Sequence, residues 1–240
     1  MNLTLKKIEM PLDWELFEAE FVDRPNRFLT RVKFNGEIVE SHLPDPGRLK
    51  ELLIPGVTLL IKREGNPNRK TKFSTQAVYL GEQLISLNSW LPNQFVEFLL
   101  KRKFLDFLED WDFVRREVPF GIHRFDFLMM RNEKPLYVEV KSVTLVENGI
   151  AKFPDAVTER GKRHVEHLAE MTKEGIDCMV LFVVQRSDAK MFQPQWERDP
   201  KFAEALLKAH QDGLNIKVIQ ADIQKFKMVF CGELPFNLES

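Results

Sequence analysis

Two predicted strands carry side chains that could bind a metal ion. The segment RFDFLMMRNEKPLYVEVKSVTL, residues 124–145, consists of two apolar runs joined by a polar turn. Because strand side chains alternate between the two faces of a sheet, Glu139 and Lys141 share one face. Antiparallel pairing places Asp126 opposite Glu139 or within one residue of it. Like charges directly opposite each other are destabilising, so this pair of carboxylates needs an explanation.

A divalent metal ion would explain the pair. Mg²⁺ takes oxygen ligands, keeps several waters, and is typically held by one or two carboxylates together with phosphate oxygens. Such an ion can activate water and stabilise a displacement at phosphorus. The pattern therefore predicts Mg²⁺ or Mn²⁺ on Asp126 and Glu139, with Lys141 orienting the water or offsetting phosphate charge. The alternative is a solvent-facing strand, where Glu139 and Lys141 form a surface ion pair worth ~0–1 kcal/mol.

A predicted helix over residues 155–173 adds cations. In TERGKRHVEHL, basic residues recur at spacings of three or four: Arg160, Arg163 or His164, and His167. They form a stripe separate from the apolar one. A solvated helix face is the ordinary interpretation, but beside an acidic metal site phosphate-binding cations are expected. The sequence has no HExxH, GxxxxGK[ST], GxGxxG or GxSxG motif, which disfavours zinc-protease, P-loop, dinucleotide and serine-hydrolase chemistry.

The elements around these residues follow an α/β pattern. PNQFVEFLLKRKFLDFLEDW predicts a helix with Asn93 as its N-cap, and three strands follow it. The 155–173 helix, a continuous buried strand in DCMVLFVVQR, a helix ended by Gly213 and a strand in LNIKVIQ complete the order αβββαβαβ. This order predicts a mixed sheet covered by helices. The apolar face of the 155–173 helix is predicted to contain Val157, Gly161, Val165, Leu168 and Met171.

The preceding region, from residue 27 to residue 87, predicts a small β-barrel. RFLTRVKFNGEIVESHL is typical of a hairpin with an Asn35-Gly36 turn. LLIKRE and TQAVYLGEQLISLN supply further strands, and PDPGRLKELLIPG predicts one or two helical turns between them. Four or five short strands and one helix in about 70 residues indicate a closed barrel of OB type. We therefore expect a two-domain α+β or α/β protein, with domains at 1–91 and 92–240.

Charge is unevenly distributed along the chain. The net charge is -1, yet Arg24 to Lys72 contains eleven Lys and Arg residues against five Asp and Glu, an excess of six. A local positive field of this size suits a polyanionic partner, although a well-mixed strand surface is an equal alternative. In this region Arg27, Arg31 and Arg48 are the predicted contacts to such a partner.

Composition and targeting signals indicate a cytoplasmic protein. The chain has 240 residues, of which 44% are hydrophobic and 30% charged, as in ordinary globular proteins. The start lacks a basic segment followed by an apolar run, and no run of 18 apolar residues occurs, so neither a signal peptide nor a membrane span is expected. Cys178 lies in an apolar strand and is interpreted as a buried thiol of a reducing compartment.

Four blocks of the sequence resemble the sugar fermentation stimulation protein family (SfsA): RFLTRV, SHLPDPGRLKELLIPG, YVEVKSVTL and FPDAVTERGKRHVEHL. The resemblance implies an N-terminal OB-like domain, a restriction-endonuclease-like C-terminal domain resembling PD-(D/E)xK nucleases, and DNA binding. The nuclease pattern maps onto Asp126, Glu139 and Lys141, with Glu97 as a possible further metal ligand. Phe125 stands where the nuclease pattern has its proline.

Three functions are compatible with these residues. The first is a metal-dependent DNA phosphodiesterase, and the second is a non-catalytic DNA-binding regulator of sugar (maltose-type) metabolism. In both, Arg160 and Arg163 join the DNA contacts, and binding is weakly sequence-specific because no recognition helix is apparent. The third is an OB-type RNA or oligonucleotide binder, which needs stacking aromatics. The barrel region offers Phe28, Phe34, Phe73 and Tyr79.

Overall fold

The computed structural model describes residues 7–121 and 123–240, which form two compact units. The barrel unit contains Pro11–Leu91 together with Ile223–Met228. The sheet unit contains residues 7–10, Pro92–Asp222 and Val229–Ser240. Residues 1–6, part of the segment on which the absence of a signal peptide was predicted, lie outside the described residues.

Seven strands precede the first helix. They are β1 (Glu9–Pro11), β2 (Leu16–Asn26), β3 (Leu29–Phe34), β4 (Glu37–His42), β5 (Thr58–Arg63), β6 (Phe73–Leu80) and β7 (Gln83–Ser86). Five of them form the barrel in the order β4-β3-β2-β5-β6, which closes because β4 also pairs with β6. Apolar side chains fill its interior, among them Val32, Leu59, Ile61, Val78 and Ile85. The predicted OB-like barrel is confirmed.

The predicted hairpin forms as β3 and β4. Asn35 and Gly36 between them have φ values of 51° and 87°, which is the left-handed geometry that an Asn-Gly turn supplies for a two-residue hairpin. Strand β2 was not predicted, although its alternating Phe17, Ala19 and Phe21 with intervening glutamates carries the strand period.

The helix predicted between β4 and β5 is reduced to a single turn. Leu53 N donates to Leu49 O at 2.8 Å, and residues 50–52 form a hydrogen-bonded turn without continuing as a helix. Leu49 itself has a φ of 51°, a left-handed conformation that cannot be part of a right-handed helix. The apolar side chains that suggested a helix, Leu49 and Leu52, are buried in the barrel core instead.

The sheet unit contains the remaining elements. They are α1 (Leu91–Lys101), a 3₁₀ turn (Asp106–Leu108), β8 (Asp112–Phe120), β9 (His123–Arg131), β10 (Lys134–Val143), β11 (Leu145–Glu147), β12 (Ile150–Phe153), α2 (Glu159–Lys173), β13 (Asp177–Val184), β14 (Met191–Pro194), α3 (Pro200–Gln211), β15 (Asn215–Gln224) and β16 (Lys227–Glu233). The last residues of β15 and the first of β16 belong to the barrel unit, where Ile223 pairs with Leu84.

The main sheet of this unit is mixed, as predicted. Strands β8, β9 and β10 form an antiparallel meander, and β13 and β15 then add in parallel to β10. The small strands β11, β12 and β14 make a separate sheet, and these three, with β16, were not predicted. Helices α2 and α3 contribute Val165, Leu168 and Phe202 to a core that includes Phe182 of β13.

Three predicted helix boundaries were wrong. Helix α1 begins at Leu91, so Asn93 lies inside the helix and not at its N-cap. It ends at Lys101, and Lys103 has a φ of 54°, so Leu105 and Leu108 are buried beyond it. Helix α2 begins at Glu159 after the N-cap Thr158, whose side chain accepts from Gly161 N at 3.0 Å. Val157 therefore precedes the helix and is exposed, contrary to the predicted apolar face.

The helices of the described residues are all too short or too polar to cross a membrane.

Candidate active site

The hairpin of β9 and β10 brings the two predicted carboxylates together. Its pairs run from Lys134↔Arg131 to Val138↔Phe127, and the next positions along the strands are Asp126 and Glu139. An Asn-Glu turn with two left-handed residues sets this register. Directly opposite residues of an antiparallel pair point to the same face, so the expected juxtaposition follows from the turn and the strand period.

Both oxygens of Asp126 accept hydrogen bonds. Oδ2 accepts from the backbone N–H of Val140 at 2.7 Å, and Oδ1 accepts from Asn93 Nδ2 at 2.6 Å. Burial raises the pKa of Asp126 to about 6, and the charge of Glu139 adds to this rise, which the hydrogen bonds only partly offset. The ionised form of Asp126 is therefore held in place yet is electrostatically disfavoured.

Glu139 is the more buried carboxylate, with 5% of its surface exposed. Lys141 Nζ donates to its Oε1 at 2.6 Å, and His164 Nδ1 lies 2.7 Å from the same oxygen. Burial opposes ionisation, but Lys141 and His164 outweigh it and lower the pKa of Glu139. One ionised carboxylate thus stands beside a second one that its charge helps to protonate.

Glu97, the possible further metal ligand, is engaged elsewhere in the sheet unit. Its two oxygens accept from Lys101 Nζ at 2.6 Å and from Arg116 Nη1 at 3.1 Å. The residue of α1 that does reach Asp126 is Asn93, one helical turn earlier. Sequence reasoning assigned Asn93 to the helix cap, so its contact with Asp126 was missed.

The donor set suits a hard cation that keeps part of its water. Among the described residues, no group of three or more His, Cys, Asp or Glu side chains is arranged to hold a metal ion. Asp126 and Glu139 together offer two carboxylates, which is the number that Mg²⁺ commonly takes from a protein when water and phosphate complete its octahedron. Both contacts of Glu139 use Oε1, so Oε2 is the oxygen left to face an ion.

A basic cleft of about 550 Å³ lies along α2, next to Glu139. Its walls contain His123, Arg124, Arg160, Arg163, His164 and His167, with Glu166 and Glu170 as the acidic members. The rings of His123 and His167 stack with centroids 4.0 Å apart. Burial first, and then the neighbouring His167, lower the pKa of His123. His164 links this cleft to the carboxylates, because it lines the cleft and also contacts Glu139.

The predicted arginines of the barrel unit differ in their surroundings. Arg24 holds two of them in one place, because its guanidinium donates to Arg48 O at 2.8 Å and to Arg27 O at 2.8 Å. Arg31 instead forms a bidentate ion pair with Asp23, whose Oδ1 accepts from Arg31 Nε at 2.7 Å. The hydrogen bonds from Arg31 lower the pKa of Asp23.

The candidate stacking aromatics of the barrel are mostly internal. Phe34 packs edge-to-face on both Phe17 and Phe73, with ring centroids 5.7 Å and 5.4 Å apart, and these rings belong to the barrel core. Phe28 is exposed beside Arg27. Trp90, which the sequence analysis did not single out, is also exposed.

An OB-like barrel followed by a mixed α/β sheet covered by helices defines the class as a two-domain α+β protein. The SfsA N-terminal OB domain matches residues 22–87, and the sugar fermentation stimulation protein RE domain matches residues 90–227. The chain therefore belongs to the sugar fermentation stimulation protein family, and the resemblance stated from its sequence is confirmed.

Three relatives show how far the similarity extends. The sugar fermentation stimulation protein homolog of Clostridium kluyveri is 40% identical over 93% of this chain and 97% of that protein. The homolog of Clostridium botulinum strain Alaska E43 is 45% identical over 86% of this chain and 90% of that protein. The structure of Pyrococcus furiosus SfsA in complex with Ca²⁺ is 27% identical, with a TM-score of 0.87, and covers 95% of this chain and 99% of that one.

Proposed function

We propose that the protein is a DNA-binding phosphodiesterase that depends on Mg²⁺ or Mn²⁺. Its metal ligands are Asp126 and Glu139, and Lys141 completes the catalytic set. One observation carries the proposal: two partly or fully buried carboxylates of paired strands converge, and burial with mutual repulsion raises the pKa of Asp126 to about 6. Lys141 and His164 pair only with Glu139, so a cation bound to both carboxylates would relieve the repulsion that Asp126 feels.

A divalent ion fits the residues present. Asp126 is oriented by Asn93 and by Val140 N–H, and Glu139 keeps Oε2 clear of its contacts with Lys141 and His164. The relative from Pyrococcus furiosus was determined in complex with Ca²⁺. Ca²⁺ is also a hard cation with oxygen ligands, so the relative supports binding of an ion of this class by the family.

The chain's own residues would each have a defined task. When bound, the metal ion supplies Lewis-acid stabilisation of phosphate charge and lowers the pKa of a bound water. Lys141 places an ammonium 2.6 Å from Glu139 Oε1, where it can also orient the attacking water or offset charge on the phosphate. His164 fixes the rotamer of Glu139 from α2, and Asn93 fixes that of Asp126 from α1, so neither carboxylate has to reorganise.

The DNA contacts are proposed from charge and position. The basic cleft carries Arg160 and Arg163 next to the carboxylates, and the barrel unit presents Arg27 and Arg48. Arg31 is left out of this set because its charge is neutralised by the ion pair with Asp23. None of these arginines is on a recognition-helix motif, so the contacts are to phosphate and binding is weakly sequence-specific. Such binding weakens linearly in log[salt] with a slope of roughly 0.9 per neutralised phosphate.

A second function is favoured by one observation. Both oxygens of Asp126 and Oε1 of Glu139 already accept protein hydrogen bonds, so the acids can be satisfied without an ion. This arrangement supports a non-catalytic DNA-binding protein, including a regulator of sugar metabolism.

The two functions separate in a nicking assay. Purified protein is incubated with supercoiled plasmid in EDTA, Mg²⁺ or Mn²⁺, and relaxed product is quantified. The phosphodiesterase nicks DNA only with metal, and Lys141→Ala lowers the rate by roughly 10²–10³-fold, the size typical of losing one transition-state charge. Lys134→Ala, an exposed lysine on the same strand, is the matched control and stays active. If the protein retards plasmid migration in a mobility-shift assay but causes no metal-dependent nicking, the non-catalytic function is assigned.

A further inference from the structure

The barrel unit contains a small polar pocket that the proposed catalytic site does not use. Its volume is about 230 Å³, and its walls include Lys62, Arg69, Ser74, Gln76, Asn88 and Trp90. Pockets for drug-sized ligands span roughly 300–1,000 Å³. This pocket therefore suits a single planar group, smaller than a whole dinucleotide.

A row of hydrogen-bonded side chains forms one wall. Asn88 Nδ2 donates to Gln76 Oε1 at 2.8 Å, and Gln76 Nε2 donates to Ser74 Oγ at 2.7 Å. Ser74 in turn donates to Glu64. Ser74 and Gln76 are only 2% and 6% exposed. The row fixes the orientation of both amides, which distinguishes it from a mobile surface cluster.

Each amide keeps hydrogen-bonding capacity for a ligand. A primary amide has two N–H donors and a carbonyl oxygen with two acceptor sites. In this row Gln76 uses one N–H and one acceptor site, while Asn88 uses one N–H and also accepts from Trp90 N at 3.0 Å. The remaining donor and acceptor of Gln76 match the paired donor and acceptor groups on the edge of a nucleobase.

An aromatic ring and two cations complete the pocket. Trp90 is 59% exposed although it lines the pocket, which leaves a large indole surface for stacking. Its backbone is held by the Asn88 side chain, so the ring borders the amide row. Lys62 and Arg69 add positive charge, and Arg69 also pairs with Glu64 at 3.1 Å. Stacking beside cations is the combination that unpaired nucleic-acid bases favour.

The pocket is continuous with the arginines already proposed to bind DNA. Ser89, next to Trp90, donates to Pro44 O at 3.1 Å. Arg24 binds the carbonyl oxygen of the adjacent Asp45 at 3.3 Å, and the same guanidinium holds Arg27 O and Arg48 O. The strand-end loops that carry these residues therefore form one surface of the barrel unit.

We propose that this pocket captures one unpaired nucleobase of a single-stranded nucleic acid, stacked on Trp90 and hydrogen-bonded to Gln76. The proposal rests on the proposed DNA binding and deepens it, because it makes an unpaired strand the preferred ligand. The neighbouring Lys62, Arg69 and Arg27 favour the phosphate-bearing strand over a neutral sugar, which also stacks on tryptophan but gains nothing from cations.

The test compares labelled 12-nucleotide ligands by fluorescence anisotropy in EDTA, where no cleavage competes. The ligands are a single strand, the same strand with one abasic position, a fully abasic strand and the duplex. Wild type is expected to bind the single strand more tightly than the duplex. The affinity of Trp90→Ala for the single strand should be roughly 5- to 150-fold lower than that of wild type, the range for one stacked base, and its affinity for the duplex should equal that of wild type.

The affinity of wild type for the fully abasic strand should be lower by the same factor, and Trp90→Ala should lower it no further. Phe226→Ala, which removes an equally exposed ring of the barrel unit, is the control and should bind like wild type.

The outcomes separate this inference from the proposed function. If duplex and single strand both bind but Trp90→Ala changes neither, the base pocket is wrong and DNA binding stands. If wild type binds neither ligand, the proposed function has failed. Thymidine 5′-monophosphate and glucose are added as competitors. If the free nucleotide binds as tightly as the whole strand, or if glucose displaces the strand, the proposal that the pocket's ligand is a nucleic-acid strand is wrong.

Discussion

Each unit of the molecule buries a polar network, and the two networks have opposite chemistry. In the barrel unit, three fully buried hydroxyls meet: Thr75 Oγ1 lies 2.8 Å from Thr30 Oγ1 and 2.9 Å from Ser41 Oγ. Every member is neutral and can both donate and accept. In the sheet unit, Asp126 and Glu139 in their ionised forms can accept hydrogen bonds but cannot donate them, and their charges repel each other.

The difference separates a network that the protein satisfies alone from one that the proposed metal ion would complete. Hydroxyls can rotate until every donor has an acceptor, so the Thr30–Ser41–Thr75 group is satisfied by the protein alone. Lys141 and His164 pair with Glu139, whereas the hydrogen-bond partners of Asp126, Asn93 and Val140 N–H, are neutral. Burial and the charge of Glu139 raise the pKa of Asp126 to about 6, and perturbed pKa values of this kind are common at functional sites.

The largest effect on stability is expected from the pH dependence that Asp126 imposes on the metal-free protein. Its pKa is about 6 when folded against 3.8 as reference, so the folded state binds the proton more tightly. The stabilisation that protonation gives is complete below pH 3.8 and is lost as pH rises to about 6. Two pKa units correspond to about 3 kcal/mol.

The measurement is urea unfolding in EDTA at pH 4 to 7.5. Asp126→Asn should gain stability relative to wild type by up to about 3 kcal/mol across this interval. The substitution also removes an acceptor for Asn93 or Val140, which changes the free energy of unfolding by the same amount at every pH. The readout is therefore the slope of the free energy of unfolding against pH. Asp23→Asn, at an exposed acid of the barrel unit, is the control and should not gain stability as pH rises. A constant difference between Asp126→Asn and wild type would contradict the raised pKa.

Metal binding should produce a nearly equal stabilisation. With free Mn²⁺ at 100 times its Kd, wild type should gain about 2.7 kcal/mol, visible as a higher Tm. Glu139→Gln should lose this response because a ligand oxygen becomes an amide. Lys141→Ala keeps both carboxylates and should still respond. A wild-type Tm that ignores Mn²⁺, or a Glu139→Gln variant that responds fully, would falsify the metal site.

Removing a member of the hydroxyl network should lower stability without changing the response to metal. Thr75→Val keeps the shape of the side chain but leaves Thr30 and Ser41 without their shared partner. Unsatisfied buried groups cost roughly 1–3 kcal/mol, so urea unfolding should show a loss in this range, and the Mn²⁺ response should be unchanged. Thr58→Val, at a half-buried position with no side-chain hydrogen bond in the described structure, should change stability little. An equal loss in both variants would remove the special role of the network.

Sequence patterns predicted what depends on local period and turn chemistry. The Asn35-Gly36 turn, the β9–β10 hairpin and the approach of Asp126 to Glu139 all follow from alternation on a strand and from the length of a turn. The identity of the set Asp126, Glu139 and Lys141 came from charges that interrupt an apolar pattern, together with the family resemblance.

Contacts made between distant elements were not predictable in this way. Asn93 lies inside α1, which begins at Leu91, and from there its side chain donates to Asp126. The pocket of Gln76, Asn88 and Trp90 exists because the barrel closes, and no periodicity marks its members. The helix predicted between β4 and β5 failed since burial of Leu49 and Leu52 does not require helical geometry.

The smallest expected effect concerns two exposed arginines, one in each unit. Arg31 binds both oxygens of Asp23 through Nε and Nη2, whereas Arg163 lines the basic cleft beside His164 and makes no ion pair in the described part of the chain. Only the second should release counterions when DNA binds. Arg163→Ala should therefore reduce the slope of log K against log[salt] by roughly 0.9, the value for one phosphate contact. Arg31→Ala should leave the slope within error, because its charge is already neutralised. Anisotropy titrations of a duplex from about 50 to about 300 mM salt measure both slopes. A larger change for Arg31→Ala than for Arg163→Ala would contradict the neutralisation of Arg31 by Asp23 and would identify Arg31 as the phosphate contact of the two.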